Sequence, residues 1–235
     1  MKFYKLLVQQ NLICLALFIF ILLFCMLQYP GGSRFDNDAT HYLFFENFIS
    51  HLGKQTTSSG LDNSFGAILF KIGIYVISFS FAILFLGQPP LFKNHVISYR
   101  FSILSSSLAL CSALAFIGIG YYSADPSTIY IHLMFVKISF YLFFISSISQ
   151  TVALKLNPFF PKKHFLCYLI FSIVLLLYNL LIEFGPKPNS DLFSLVLQVS
   201  GQKTIAVFFF FNFIFQGIGI LSLLKSQRAW QPPSS

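Results

Sequence analysis

The run Leu12–Tyr29, LICLALFIFILLFCMLQY, contains no charged residue. Eighteen or so apolar positions without a charge are enough for a helix to cross the ~30 Å hydrocarbon layer of a bilayer. The competing reading is a signal peptide, because Lys2 and Lys5 precede the run. Against it, the apolar core exceeds the usual length of such a segment, and it passes into CMLQYPGGS without a small-x-small cleavage site. Bulky Phe24 before Cys25 also fits a lipoprotein signal poorly. The run therefore reads as a span, and five more follow: Phe65–Leu86, Tyr99–Gly120, Thr128–Leu154, Phe165–Phe184 and Thr204–Leu224. A further apolar patch, Leu192–Val199, is too short to cross and is expected to be interfacial or re-entrant.

Lipid offers the backbone no hydrogen-bond partners, so each span must be helical. The expected fold is all-α: one integral membrane domain over residues 1–235, a bundle of six transmembrane helices. A long outer loop (30–64) should carry a short interfacial or re-entrant helix, and a flexible tail should occupy 225–235. Composition agrees. The chain is 56% hydrophobic and 9% charged, where soluble domains carry about 25% charged residues. Its 32 phenylalanines read as lipid-facing bulk rather than as a stacking surface for bases. Cys14, Cys25, Cys111 and Cys167 all lie within apolar runs, with no CxxC pair, and read as small apolar residues.

The net charge of +8 follows the membrane and forms no nucleic-acid stripe. Lys2, Lys5, Lys93, Arg100, Lys155, Lys162, Lys163, Lys225 and Arg228 fall at the termini and in the second and fourth loops. The positive-inside rule makes those segments, and both termini, cytoplasmic. All seven acids (Asp36, Asp38, Glu46, Asp62, Asp125, Glu183 and Asp191) then lie on the opposite side, so any chemistry is expected to face outward. In the third span, Ser102, Ser106, Ala109 and Ala113 make one small-residue face of the kind that lets helices approach closely in lipid. Gly217 and Gly219 hint at a weaker contact of the same kind.

In the outer loop, Pro30 and the two glycines after it end the first helix. Leu43, Phe44, Phe48, Ile49 and Leu52 recur at helical spacing, which predicts an amphipathic helix over Thr40–Leu52 that stops at Gly53. Asp62, Asn63 and Ser64 are candidate N-caps for the second span. Within the spans, Lys71, His132 and Lys137 stand out, because an intramembrane charge normally faces the interior or a wet cavity unless it snorkels to the interface. HExxH, GxSxG and phosphate-binding glycine loops do not occur. His41, Glu46 and His51 are five apart, about 140° of rotation per step at 3.6 residues per turn, so they share no helical face; no metal and no cofactor is expected.

YPGG after the first span, ENFISHLG and GLDNS in the outer loop, IHLMF in the fourth span and GQK before the last resemble a large family of bacterial six-span membrane proteins without an established activity. That family in turn is similar to the eukaryotic DRAM-type (damage-regulated autophagy modulator) membrane proteins. The resemblance covers nearly the whole chain, and order and spacing carry it rather than any single motif. It implies a bacterial cytoplasmic membrane and gives Asn47, Ser50, Gly53, Asn63, His132, Gln202 and Lys203 the characteristic positions. His51 stands where an acidic residue is expected, which weakens a chemical role for an acid there.

Two functional readings follow. In the first, an outward-facing polar pocket binds or moves an anionic lipid or amphiphile. Glu46, Asn47, His51, Asp62, Lys71, His132, Lys137 and Lys203 form its ligand-binding set, and Lys71, His132 and Lys137 close it from below. In the second, the chain is an intramembrane lipid hydrolase of ceramidase-like type, although His132 lacks the HxxxH partner such enzymes place on one helix. A non-catalytic accessory subunit is the bland alternative. Enzymatic activity and protein partners stay open at this point; the bilayer is the one expected surrounding.

Overall fold

A computed structural model describes residues 2–229, with side chains from 3 to 225. Among the described residues six α-helices run in chain order: α1 (Lys2–Gln28), α2 (Ser64–Gly87), α3 (Val96–Tyr121), α4 (Ile129–Leu156), α5 (Lys162–Phe184) and α6 (Leu192–Ala229). Each has a stretch long and apolar enough to cross a membrane. The protein is a multi-pass all-α bundle, with no strand among the described residues. Each helix packs on the two that flank it in sequence, and α6 returns to α1, so the bundle closes into a ring.

Local chemistry ends each helix where the sequence changes. Pro30 follows α1, and Gly31 and Gly32 take φ of 118° and 83°. A Cβ on Gly31 would lie 2.1 Å from the Ala39 carbonyl oxygen, so the turn needs glycine twice over, for its backbone and for its space. Pro89 and Pro90 open a single 3₁₀ turn, Pro89–Phe92, beyond α2. His95 caps α3 by accepting the Ser98 N–H on Nδ1, and the Asp191 carboxylate accepts the Ser194 N–H at the start of α6.

That cap extends α6 over the patch Leu192–Val199. The patch is not a separate re-entrant piece; it forms the first two turns of the last transmembrane helix. Gly201 tolerates the continuation because it packs against Leu181, where a Cβ would stand 2.3 Å away. At the other end residues 225–229 continue α6, and the rest of the expected flexible tail, 230–235, lies outside the described residues.

The small face of α3 is buried as its spacing predicts. Ser102, Ser106, Ala109 and Ala113 all face inward. Ser105 and Ser146 pair at 3.1 Å, and Ser112 Oγ donates to the Ser139 carbonyl at 2.9 Å, so hydroxyls as well as close approach join α3 to α4. Gly217 rests on Leu12 and Gly219 on His164.

Phenylalanine serves two uses: Phe3, Phe20, Phe65, Phe79 and Phe211 are exposed on the helices, as lipid-facing bulk would be, and others fill the interior. Phe81, Phe85, Phe143, Phe171 and Phe213 are buried and, with Phe209, form a plug across the middle of the ring. Edge-to-face contacts such as Phe81–Phe213 at 4.4 Å knit it together. Six helices closed in a ring leave a central space that small side chains cannot fill.

Candidate functional site

The end of the ring opposite the two termini, called the outer end from here on, is covered by the loop between α1 and α2. Its short helix is present, but as one 3₁₀ turn, Ile49–Gly53, and not as an amphipathic helix over Thr40–Leu52. The reason lies in where the backbone groups go. The Lys203 ammonium, on α6, donates to the Asn47 carbonyl at 2.7 Å and also to the Phe44 carbonyl. It stands over the rings of Tyr42 and Phe44, 5.0 and 4.4 Å from their centroids. The Tyr42 hydroxyl donates to the same Asn47 carbonyl at 2.7 Å, and the Ile49 N–H donates to Gln202 Oε1 at 2.7 Å. Side chains of α6 therefore take the groups that an α-helix would have paired within itself.

From the other side, Asn63 Nδ2, before α2, donates to the carbonyls of Leu52 and Lys54 at 3.1 and 2.8 Å. Asn63 is also the residue that caps α2 by position. The turn Ile49–Gly53 is thus a strap fastened by α6 at one end and α2 at the other.

Beneath the strap lies a cavity of about 140 Å³. Its wall is drawn from α1, α2, α3, α4, α6 and the strap, and is dominated by phenylalanine, including Phe70, Phe81, Phe116, Phe140 and Phe209. Ala109 and Ala113 on α3 and Ala206 on α6 are its small lining residues. An apolar cavity of about this size, ~150 Å³ in an engineered case, stays dry and takes up apolar guests. Polar groups are few. Ser50, His132 and Gln202 stand at the outer end. Ser78 and Ser112 also touch the cavity, but their hydroxyls donate to backbone carbonyls. His132 Nδ1 donates to the Tyr122 carbonyl at 2.8 Å, which fixes the ring.

The expected ligand-binding set divides. His132 lines the cavity, as do Ser50 and Gln202, two of the positions singled out by the resemblance. Asn47 and Lys203 are buried and fasten the strap from above. Glu46 accepts the Ser33 hydroxyl at 2.6 Å within the loop. Asp62 is exposed and accepts from Ser64. Lys71 is half-buried, outside the cavity lining, and has no partner among the described residues.

Lys137 requires a correction. It points away from the cavity, is 41% exposed on its side chain, and pairs with Glu183 at 2.7 Å. The Tyr141 hydroxyl donates to the same carboxylate oxygen at 2.6 Å. The cost of a mid-span lysine is met on the outer face of α4 and α5, where its long stem reaches a carboxylate near the end of α5. Lys71, His132 and Lys137 therefore do not close a common pocket, and Lys137→Met is not expected to remove ligand binding.

Cations lie close to His51 in the strap. With the Asn47 amide oriented to satisfy its neighbours, Nδ2 donates to the Gly32 carbonyl and to His51 Nδ1, each at 3.2 Å. The His51 proton then belongs on Nε2. Burial above all, and then Lys54, Arg34, Lys203 and His132, push the His51 pKa down to about 3. Lys54 is itself held below the usual lysine value, chiefly by burial, with Asp125 acting in the opposite sense.

No group of three His, Cys, Asp or Glu residues placed to hold a metal ion occurs among the described residues. Ser50 and His132 line one cavity without a hydrogen bond between them.

The positions on which the sequence resemblance rests converge in space. Asn47, Ser50 and Gly53 belong to the strap or its approach, Asn63, Gln202 and Lys203 fasten it, and His132 stands beneath it. Sequence reasoning missed the apolar body of the site, because an inward phenylalanine reads like a lipid-facing one. Compared with family models, curated proteins and solved structures, the chain finds no match.

Proposed function

We propose that the protein binds an amphiphile with an anionic head group, its apolar chain seated in the phenylalanine-lined cavity and its head at the outer end beneath the strap. The observation that carries this reading is the cavity itself: about 140 Å³ of mostly apolar space in which Ser50, His132 and Gln202 lie at one end, while the Ser78 and Ser112 hydroxyls are turned to backbone carbonyls. That is the polarity profile of a lipid chain and its head group. Arg34, Lys54 and Lys203 lie close enough to His51 in the strap to oppose its protonation, so cations are at hand for an anionic head. The host membrane is the bacterial cytoplasmic membrane, with the acidic end of the bundle facing out and both termini facing in.

The hydrolase reading receives less support. It needs an activated nucleophile or a metal-held water, and Ser50 and His132 are not paired.

The test is binding of a long-chain fatty acid and of phosphatidic acid, against a neutral diacylglycerol, to the purified protein by native mass spectrometry. Ala113→Phe fills the cavity from α3. It should abolish retention of the anionic amphiphiles while the protein remains monodisperse and helical. Equal retention by parent and variant, or preference for the neutral lipid, overturns the reading.

A further inference from the structure

The inner half of the bundle encloses a second cavity of about 30 Å³, separate from the first. Asn11, Gln88, Gln150, Tyr168 and Gln216 give it polar walls, and no Asp, Glu, Lys, Arg or His lines it. Two of these side chains are already engaged. Asn11 donates to Ser80 Oγ at 3.0 Å, and Gln216 exchanges hydrogen bonds with His164. Gln88 and Gln150 are different. They are 6% and 1% exposed, and neither Oε1 has a hydrogen-bond partner among the described residues.

Two unpaired amide oxygens inside a lipid-embedded bundle are costly, because neither bulk water nor lipid can serve them. What they require is a small donor. The cavity exceeds the roughly 10–15 Å³ that a water needs. A cation is disfavoured, since no carboxylate lines the space and the nearby end of the bundle carries Lys5, Lys93, Lys155, Lys162 and Lys163.

We propose that this cavity is a binding site for resident water, which donates to Gln88 and Gln150 and joins α2 to α4. Phe85, Phe143, Phe209 and Phe213 stand between it and the outer cavity. The water therefore lies on the inner side of the phenylalanine plug, apart from the outer cavity. This inference stands apart from the amphiphile reading and survives its failure.

The experiment is X-ray radiolytic labelling of the full chain in nanodiscs after transfer into H₂¹⁸O, read residue by residue by mass spectrometry. Side chains beside a resident water take up label, and dry core does not. Tyr168 and Phe213, which line the inner cavity, should label several-fold more than buried Phe171. The excess should fall in the Gln88→Leu and Gln150→Leu single variants and vanish in the double variant. The parent measurement is decisive by itself if a variant does not fold: labelling of Tyr168 and Phe213 no greater than that of Phe171 overturns the proposal. Labelling that persists in a folded double variant also overturns it, because the glutamines would then not hold the water.

Discussion

Lys203 and Lys137 are both lysines on transmembrane helices, yet they do opposite things. Lys203 is 6% exposed and spends its ammonium on the carbonyls of Phe44 and Asn47. Lys137 sits on the surface in an ion pair. Hydrogen bonds to a charged group are worth about 1.5–3 kcal/mol each, so Lys203→Met should lower stability by at least that amount, with Met keeping the stem. Lys137→Met should leave the thermal midpoint in detergent unchanged, and a larger loss for Lys137→Met than for Lys203→Met would reverse the assignment. The sequence could not separate the two residues. It showed that each charge needs a partner, but Glu183 is 46 positions from Lys137 and the Asn47 carbonyl is 156 from Lys203. His51 adds a pH dependence with a definite sign. Its folded pKa of about 3 lies below the ~6.5 of an unfolded histidine, so the unfolded chain takes up the proton first. Its contribution is therefore intact above about pH 6.5 and is lost as pH falls from there towards 3. Asp191 is also held below the usual carboxylate range, by the Ser194 N–H, and it weakens at low pH too. The comparison that isolates His51 is the midpoint against pH for the parent and for His51→Gln, which keeps an acceptor for Asn47. The slope between pH 6.5 and 4.5 should be shallower in the variant; parallel curves would show that His51 is protonated in the fold.

At the scale of the element, the strap shows how periodicity can mislead. Leu43, Phe44, Phe48 and Leu52 have helical spacing, but only Leu52 is fully buried, while Phe44 is 51% exposed. Helical spacing in a loop becomes a helix only when the backbone has no better partners, and here Lys203, Gln202, Tyr42 and Asn63 provide them. The transmembrane helices had no such competition, since in lipid their own carbonyls are the only acceptors. The strap's Gly53 touches the Phe70 ring, where a Cβ would lie 2.7 Å from Cδ1. Phe70 also lines the outer cavity, so an added methyl must lift the strap or push the ring inward. Gly53→Ala should cost about 1–3 kcal/mol, as overpacking does, and should accelerate amide exchange at Leu52 and Lys54 more than in α3. Uniform acceleration throughout the bundle would mean that the strap is not an independent unit but part of the core.

For the whole molecule, the six spans were legible because lipid imposes one crude requirement, length without charge. The interior was not, because core and lipid are about equally apolar and the usual contrast between buried and exposed residues disappears. Charge is the one pattern that still distinguishes the two ends, and the fold sharpens it. The loop from 29 to 63, the turn holding Asp125, the end of α5 with Glu183 and the connection holding Asp191 gather at one end of the ring, and they carry all seven acids. Lys5, Lys93, Arg100, Lys155, Lys162 and Lys163 lie towards the other end. Positive charge near helix ends is retained on the cytoplasmic side during insertion, so the strap should face outward and both termini inward. Ser58 is a suitable reporter, being exposed at the acidic end near the turn of the loop. In a variant in which Cys14, Cys25, Cys111 and Cys167 are replaced by serine or alanine, Ser58→Cys should react with an impermeant maleimide on intact cells. A cysteine at Lys93, in the second loop, should react only after the membrane is opened. The reverse pattern would place the strap and its cavity on the cytoplasmic side. The amphiphile would then have to arrive from within the cell, although the geometry of its site would be unchanged.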